Sequence, residues 1–242
     1  MAQRRYRLGL LIPPVNVTME PECWRWAPAG VTVHAHRLYR SRAVLTVEEL
    51  ALMAERVEES ARLVAFARPH LIVYGCTSGS LLDLDYDQRL VGRIEGATGV
   101  PAIATAGAVV EALRALGVRR VAVATPYPDD INEREVAFLE AHGFEVTSLE
   151  ALRLRDSHAI PEVPPERVEA LGRAADRPEA EALFISCTNF PTAEVLEPLE
   201  QALGKPVVSS NSASFWLALR RLGVEAPVEG AGRLLRGVAP VG

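Results

Sequence analysis

The chain has few of the residues that metal, redox and nucleotide chemistry require. Its 242 residues include three cysteines and no Cys-x-x-Cys pair, which excludes a disulfide framework and a thioredoxin-type centre. Lysine occurs once, as Lys205 in a Gly-Lys-Pro turn, a poor position for a Schiff-base amine. Neither Gly-x-Gly-x-x-Gly nor Gly-x-x-x-x-Gly-Lys occurs, so no nucleotide fingerprint is present. The histidines (His34, His36, His70, His142, His158) show no helical metal spacing, and Asp83, Asp85 and Asp87 read as a solvated loop without a following ligand pattern. These absences predict no cofactor and no metal. The basic start, Met1 to Arg7, is followed by an apolar run too short for a signal peptide or a membrane span. A net charge of −5 gives no reason to expect nucleic acid or an anionic membrane as partner. A cytoplasmic protein with reduced thiols is the expectation.

What is present is ordinary for a globular domain: 49% hydrophobic and 24% charged residues. Two strings stand out, Leu71-Ile72-Val73-Tyr74-Gly75-Cys76-Thr77-Ser78-Gly79-Ser80 and Leu183-Phe184-Ile185-Ser186-Cys187-Thr188-Asn189. Each is an apolar strand-like run that stops at a cysteine and continues into hydroxyl or amide residues. That composition predicts a strand ending at a helix N-terminus, where free N–H groups point at a ligand. A thiol there is expected to have its thiolate stabilised by the helix dipole, and so to act as nucleophile or base near neutral pH.

The strings belong to a larger repetition. Apolar runs alternate with amphipathic segments, which predicts α/β architecture with parallel sheets. Strands are expected at 8–12, 31–36, 71–74, 102–105, 121–124, 144–149, 183–186 and 207–209. Helices are expected at 46–66 (Thr46 as N-cap, Glu49 at the capping-box position), 106–116, 132–142, 165–174 and 213–222. Leu10-Leu11-Ile12-Pro13-Pro14 matches Ala122-Val123-Ala124-Thr125-Pro126, the cysteine strings match each other, and Gly99-Val100-Pro101 matches Gly204-Lys205-Pro206. The reading is two similar Rossmann-like halves related by a pseudo-twofold, with a cleft between them. The first half spans 1–117, completed by the C-terminal segment 211–242, and the second spans 118–210. Ligands of open α/β sheets bind beyond the carboxyl ends of strands, which would bring both cysteines to that cleft.

Each feature also has an ordinary explanation. Free cysteine packs readily in cores, and Cys23 in Glu20-Pro21-Glu22-Cys23-Trp24 reads as a packing residue. Thr77-Ser78-Gly79-Ser80 serves equally as a helix cap or as an anion cradle suited to a carboxylate, with Thr188-Asn189 as its counterpart. Asn16 follows the double proline and suits a turn. Tyr127, held between Pro126 and Pro128, has a rigid backbone that suits a hydroxyl donating to a fixed oxygen.

Five strings together resemble the aspartate/glutamate racemase superfamily, in its branch of maleate cis-trans isomerases and arylmalonate decarboxylases. They are Pro14 to Glu20 (Pro-x-Asn-x-Thr-x-Glu), Tyr74 to Ser80, Thr125-Pro126-Tyr127, Ser186-Cys187-Thr188-Asn189 and Ser209-Ser210-Asn211. The resemblance implies Cys76 as nucleophile and Cys187 as the second thiol that moves a proton. It implies that Asn16, Thr77, Ser78, Tyr127, Thr188 and Asn189 hold substrate carboxylates. Decarboxylases of the branch have glycine where this chain has Cys76, so two thiols favour an isomerase or a racemase; Pro14-Val15 departs from the isomerases' usual Ser-Ser and looks decarboxylase-like. The expected function is a cofactor-independent cis-trans isomerase of maleate or a similar small dicarboxylate. The alternatives are a racemase, an arylmalonate-type decarboxylase or a non-catalytic carboxylate-binding protein. The sequence leaves open whether the chain forms a homo-oligomer.

Overall fold

In the computed structural model, residues 5–237 are described; the expected domain limits at residues 1–4 and 238–242 lie outside them. The apolar runs fold as parallel strands and the periodic segments as helices laid against them. The first half contains β1 (Tyr6–Ile12), α1 (Met19–Trp26), β2 (Val31–Arg37), α2 (Val47–Glu55), α3 (Val57–Ala65) and β3 (Leu71–Tyr74). A 3-10 turn (Ser78–Ser80), α4 (Tyr86–Thr98), β4 (Ala102–Ala104) and α5 (Thr105–Ala115) follow. The second half contains β5 (Arg120–Thr125), α6 (Asp129–Ala141), β6 (Glu145–Ala151), α7 (Pro165–Ala175), β7 (Ala182–Ile185), α8 (Leu196–Leu203) and β8 (Val207–Ser209). Helices α9 (Ser210–Arg221) and α10 (Gly232–Gly237) end the described chain.

The two sheets have the same strand order, β2-β1-β3-β4 and β6-β5-β7-β8. All pairings within them are parallel. In each sheet the order reverses beside the first strand, so a crevice opens at the carboxyl ends of β1 and β3 and again at those of β5 and β7. Helices α5 and α9, which occupy equivalent places after β4 and β8, pack against each other. Ser214 on α9 donates to the Thr105 hydroxyl at the start of α5 (3.1 Å), and Thr105 donates to the Tyr74 carbonyl. This helix pair turns the two crevices toward one another. Strands β3 and β7 are buried throughout, as their unbroken apolar runs require.

Helices α1, α4, α8 and α10 are additional to those expected from the sequence. The 46–66 segment is two helices, α2 and α3, broken at Arg56. The break lets α3 lie on β1 and β2 while α2 turns toward the Ser78–Ser80 turn. Helix α1 forms although it contains Pro21, because the proline sits in the first turn, where its missing N–H has no intrahelical partner to lose. The acidic stretch is not wholly solvated: Asp87 is buried in the first turn of α4, and burial raises its carboxyl above the usual range.

Candidate active site

Both cysteine strings end where expected. Cys76 lies two residues beyond β3 and Cys187 two beyond β7. They line one cavity with Pro13, Val15, Arg40, Leu45, Thr77, Ser78, Tyr127, Ser157, Ile160, Thr188 and Asn189. Loops from both halves therefore enclose it. A larger groove of about 740 Å³ beside α9 and α10, lined by Trp216, Arg220 and Leu234, holds no thiol.

The chain after Cys76 turns at once. Gly79 donates its N–H to the Cys76 sulfur at 3.3 Å, and the Ser78 hydroxyl lies 3.8 Å from it. A Cβ on Gly79 would stand 3.0 Å from that sulfur and 2.7 Å from the Tyr74 hydroxyl, so only glycine lets this N–H approach. Gly75 is constrained similarly, since a Cβ there would sit 2.5 Å from Met19 Sδ. Around Cys187 the backbone adopts φ of 94°, a conformation costly for any residue with a Cβ and characteristic of functional turns. Asn189 N–H donates to the Cys187 sulfur at 3.4 Å. The Tyr127 side chain lines the same cavity, and its hydroxyl favours a thiolate at this sulfur. Its backbone is pinned by Thr125, which accepts from Tyr127 N–H, and by Asn132, which donates to the Tyr127 carbonyl.

Low-pKa thiols at helix starts are not what the structure holds. Only a single 3-10 turn follows Cys76, and a reverse turn follows Cys187, so neither sulfur meets a full helix dipole. Cys76 is 3% exposed and Cys187 7%. Burial dominates, pushing the Cys76 thiol up and the Cys187 thiol up to about 12. Their surroundings differ in sign. Against burial, Cys76 has the Gly79 N–H, the Ser78 hydroxyl and the Arg40 guanidinium, all favouring its thiolate. The Asn189 N–H and the Tyr127 hydroxyl favour a Cys187 thiolate, but the charges of Cys76 and Glu135 oppose it. The two sulfurs thus differ in what surrounds them: Cys76 has a cation beside it, whereas negative charge opposes ionisation of Cys187.

The remaining expected residues build the walls. Asn16 lies one layer behind the cavity, donating to Thr188 Oγ1 (3.0 Å) and accepting from the Thr18 and Met19 N–H groups. Thr188 donates to the Gly75 carbonyl, joining the two cysteine turns. Thr77 donates to Ser210 Oγ at 2.8 Å, and the same oxygen accepts from Cys187 N–H. Asn189 accepts from Val17 N–H and the Thr18 hydroxyl and donates to the Val15 carbonyl. The structure brings Cys76, Thr77, Ser78, Tyr127, Cys187, Thr188 and Asn189 to one place, with Asn16 supporting them. Cys23 is sealed in the core, as a packing residue should be.

Sequence reasoning missed Arg40, Ser157 and Ser210. Arg40 lies in the arginine-rich run Arg37 to Arg42, where nothing local separates it from solvated neighbours. Ser157 enters from the loop after β6. The loops after β2 and β6 pair across the cavity mouth, with Leu45 N–H to Arg155 carbonyl at 2.8 Å and Ser157 N–H to Ala43 carbonyl at 2.9 Å. Among the described residues no cluster of His, Cys, Asp or Glu could hold a metal, and no helix is long and apolar enough to cross a membrane.

Comparison with known proteins gives this geometry a lineage. Residues 8–235 match the family model of arylmalonate decarboxylase. The maleate isomerase of Nocardia farcinica is 36% identical over 244 residues, covering 95% of each chain. A solved structure of the Nocardia enzyme, a cysteine-to-serine mutant with a covalently bound succinylcysteine intermediate, superposes with a TM-score of 0.90. It is 32% identical and covers 96% of this chain and 98% of that one. The maleate isomerase of Pseudomonas putida S16, solved with maleate, superposes at 0.92 with 28% identity, covering 97% of this chain and 98% of that one. With two cysteine turns facing one cavity between equivalent sheets, and a match along almost its whole length, the chain belongs to the arylmalonate decarboxylase family.

Proposed function

We propose that the chain is a cofactor-independent cis-trans isomerase acting on maleate or a similar small dicarboxylate. The observation that carries this reading is the pair of buried thiols lining one cavity, each with a different electrostatic environment. Its relatives support it, since the Nocardia isomerase is known with a succinyl group on cysteine.

Isomerisation requires the C=C bond to become single for a moment. The Cys76 thiolate adds to one alkene carbon, and the π electrons move onto the carboxylate of the other as an enediolate. The Cys187 thiol then gives its proton to that second carbon, leaving an S-succinyl group on Cys76 and a thiolate at Cys187. Rotation about the new single bond follows. Cys187 takes the second carbon's other hydrogen, the double bond re-forms, and Cys76 leaves as thiolate. The elevated Cys187 suits an acid that must hold its proton until the carbanion forms. Ser78 and Tyr127 meet the carboxylates directly. Asn16, Thr77, Thr188 and Asn189 hold them through the hydrogen-bonded frame that aims the N–H groups of the two turns.

Mass spectrometry separates this from a racemase, which forms no adduct, and from a decarboxylase, which releases carbon dioxide. With Cys187→Ser and maleate, Cys76 should gain the mass of one maleic acid while Cys23 stays unmodified, and Cys76→Ala should gain nothing. Wild-type protein that makes no fumarate, with no adduct in the serine variant, overturns the reading.

A further inference from the structure

The cavity contains one cation that its own chemistry leaves unmatched. Among the residues lining it, Arg40 alone carries a formal charge. Its Nη2 donates to the Val44 carbonyl, which fixes the side chain within its own loop. Its Nε is buried and has no partner among the described residues. The acid nearest in effect, Glu49, does not neutralise it. The Glu49 carboxylate is taken by Ser41 N–H, the Ser41 hydroxyl, Arg42 N–H and Arg42 Nε. Those four bonds shape the turn that carries Arg40 rather than pairing with its guanidinium. Across the mouth, the Ser157 hydroxyl is also buried and unpartnered among the described residues, and it lines the same cavity. The pairing of their two loops holds both groups over the sulfurs.

A buried guanidinium nitrogen whose donor is unfilled is costly unless an acceptor completes it. Planar N–H donors match a carboxylate better than any other small anion a C4 acid presents. We propose that Arg40, with the Ser157 hydroxyl beside it, is the subsite for one substrate carboxylate and restricts the enzyme to small dicarboxylates. The inference rests on the isomerase reading and deepens it, since the neutral donors Ser78 and Tyr127 then serve the other carboxylate. Arg40 also faces Cys76 and Cys187, so it brings positive charge to the thiol that must ionise.

The test compares wild type with Arg40→Gln and Arg40→Lys, using maleate as probe. Loss of one charge-assisted contact should raise KM for maleate roughly thirtyfold in Arg40→Gln, with a smaller fall in kcat and partial recovery in Arg40→Lys. Maleate should raise the melting temperature of wild type and leave that of Arg40→Gln unmoved, a readout that needs no turnover. The pH profile of Cys76 alkylation by neutral iodoacetamide identifies the competing role. An Arg40→Gln protein with KM within threefold of wild type and a shifted alkylation profile makes Arg40 a thiolate partner and overturns the proposal. Equal losses in both variants with lowered melting temperatures also overturn it, as a structural role. Wild type that binds maleate without converting it refutes the isomerase reading and leaves the Arg40 subsite standing.

Discussion

Tyr127 lines the cavity with both cysteines, its backbone held by Thr125 and Asn132. It is 1% exposed, and burial beside the cysteines holds its own ionisation well above the ordinary range. The hydroxyl therefore stays a donor at any working pH. Tyr127→Phe keeps the packing and removes that donor. Turnover should fall roughly a hundredfold, the size of one lost oxyanion donor, while stability should change by about 1 kcal/mol. A lowered melting temperature with unchanged turnover would assign the residue to structure alone. Tyr127 was legible in the sequence, since Thr125-Pro126-Tyr127-Pro128 marks a rigid turn at a strand end. Arg40 was not, since its role exists only once two loops far apart in sequence meet.

Among the elements, the strands were the most legible, because a run such as Leu71–Tyr74 buries every side chain and tolerates no polar interruption. Helices α1, α4, α8 and α10 were missed: α1 and α8 carry a proline at their third residue, α4 carries Gly92 and Gly96 in its interior, and α10 has only six residues. The break at Arg56 was invisible because both sides continue an apolar stripe. Helix α6 illustrates a buried acid that no periodicity reveals. Glu135 is fully buried, accepts from the Ser186 hydroxyl next to Cys187, and is raised by burial to about 8. Between its ordinary 4.5 and about 8, the folded chain keeps a proton that the unfolded chain releases, so stability falls as pH rises through that window. Glu135→Gln keeps the shape without the charge. It should stabilise the protein by about 3 kcal/mol at pH ~7 and by nothing near pH ~4, read by urea unfolding at both. An equal change at the two pH values would refute the ionisation argument.

At the scale of the whole molecule, the halves are stitched together as well as packed. Glu22 on α1 accepts from the Thr192 and Ala193 N–H groups and from Asn211 Nδ2. Burial raises its carboxyl, and these donors together with the Thr192 hydroxyl act against that rise. The duplication was legible in the repeated strings, but the stitching was not, because it joins residues about 170 positions apart. The paired loops over the mouth have a further consequence, which isotopes can report. On the proposed mechanism, if the Leu45–Arg155 and Ser157–Ala43 bonds part to let product leave, the Cys187 thiol would then meet bulk water and trade its hydrogen. Were the paired loops to keep water out, the hydrogen given to the substrate would not exchange before they part. Cys187 keeps one position relative to Cys76 through addition and elimination, so the trans product forms only if the carbon's original hydrogen is the one removed. In deuterium oxide each fumarate should therefore carry one deuteron and unreacted maleate none, as proton NMR will show; fumarate free of deuterium would mean that the enzyme never stores a solvent hydrogen between turnovers.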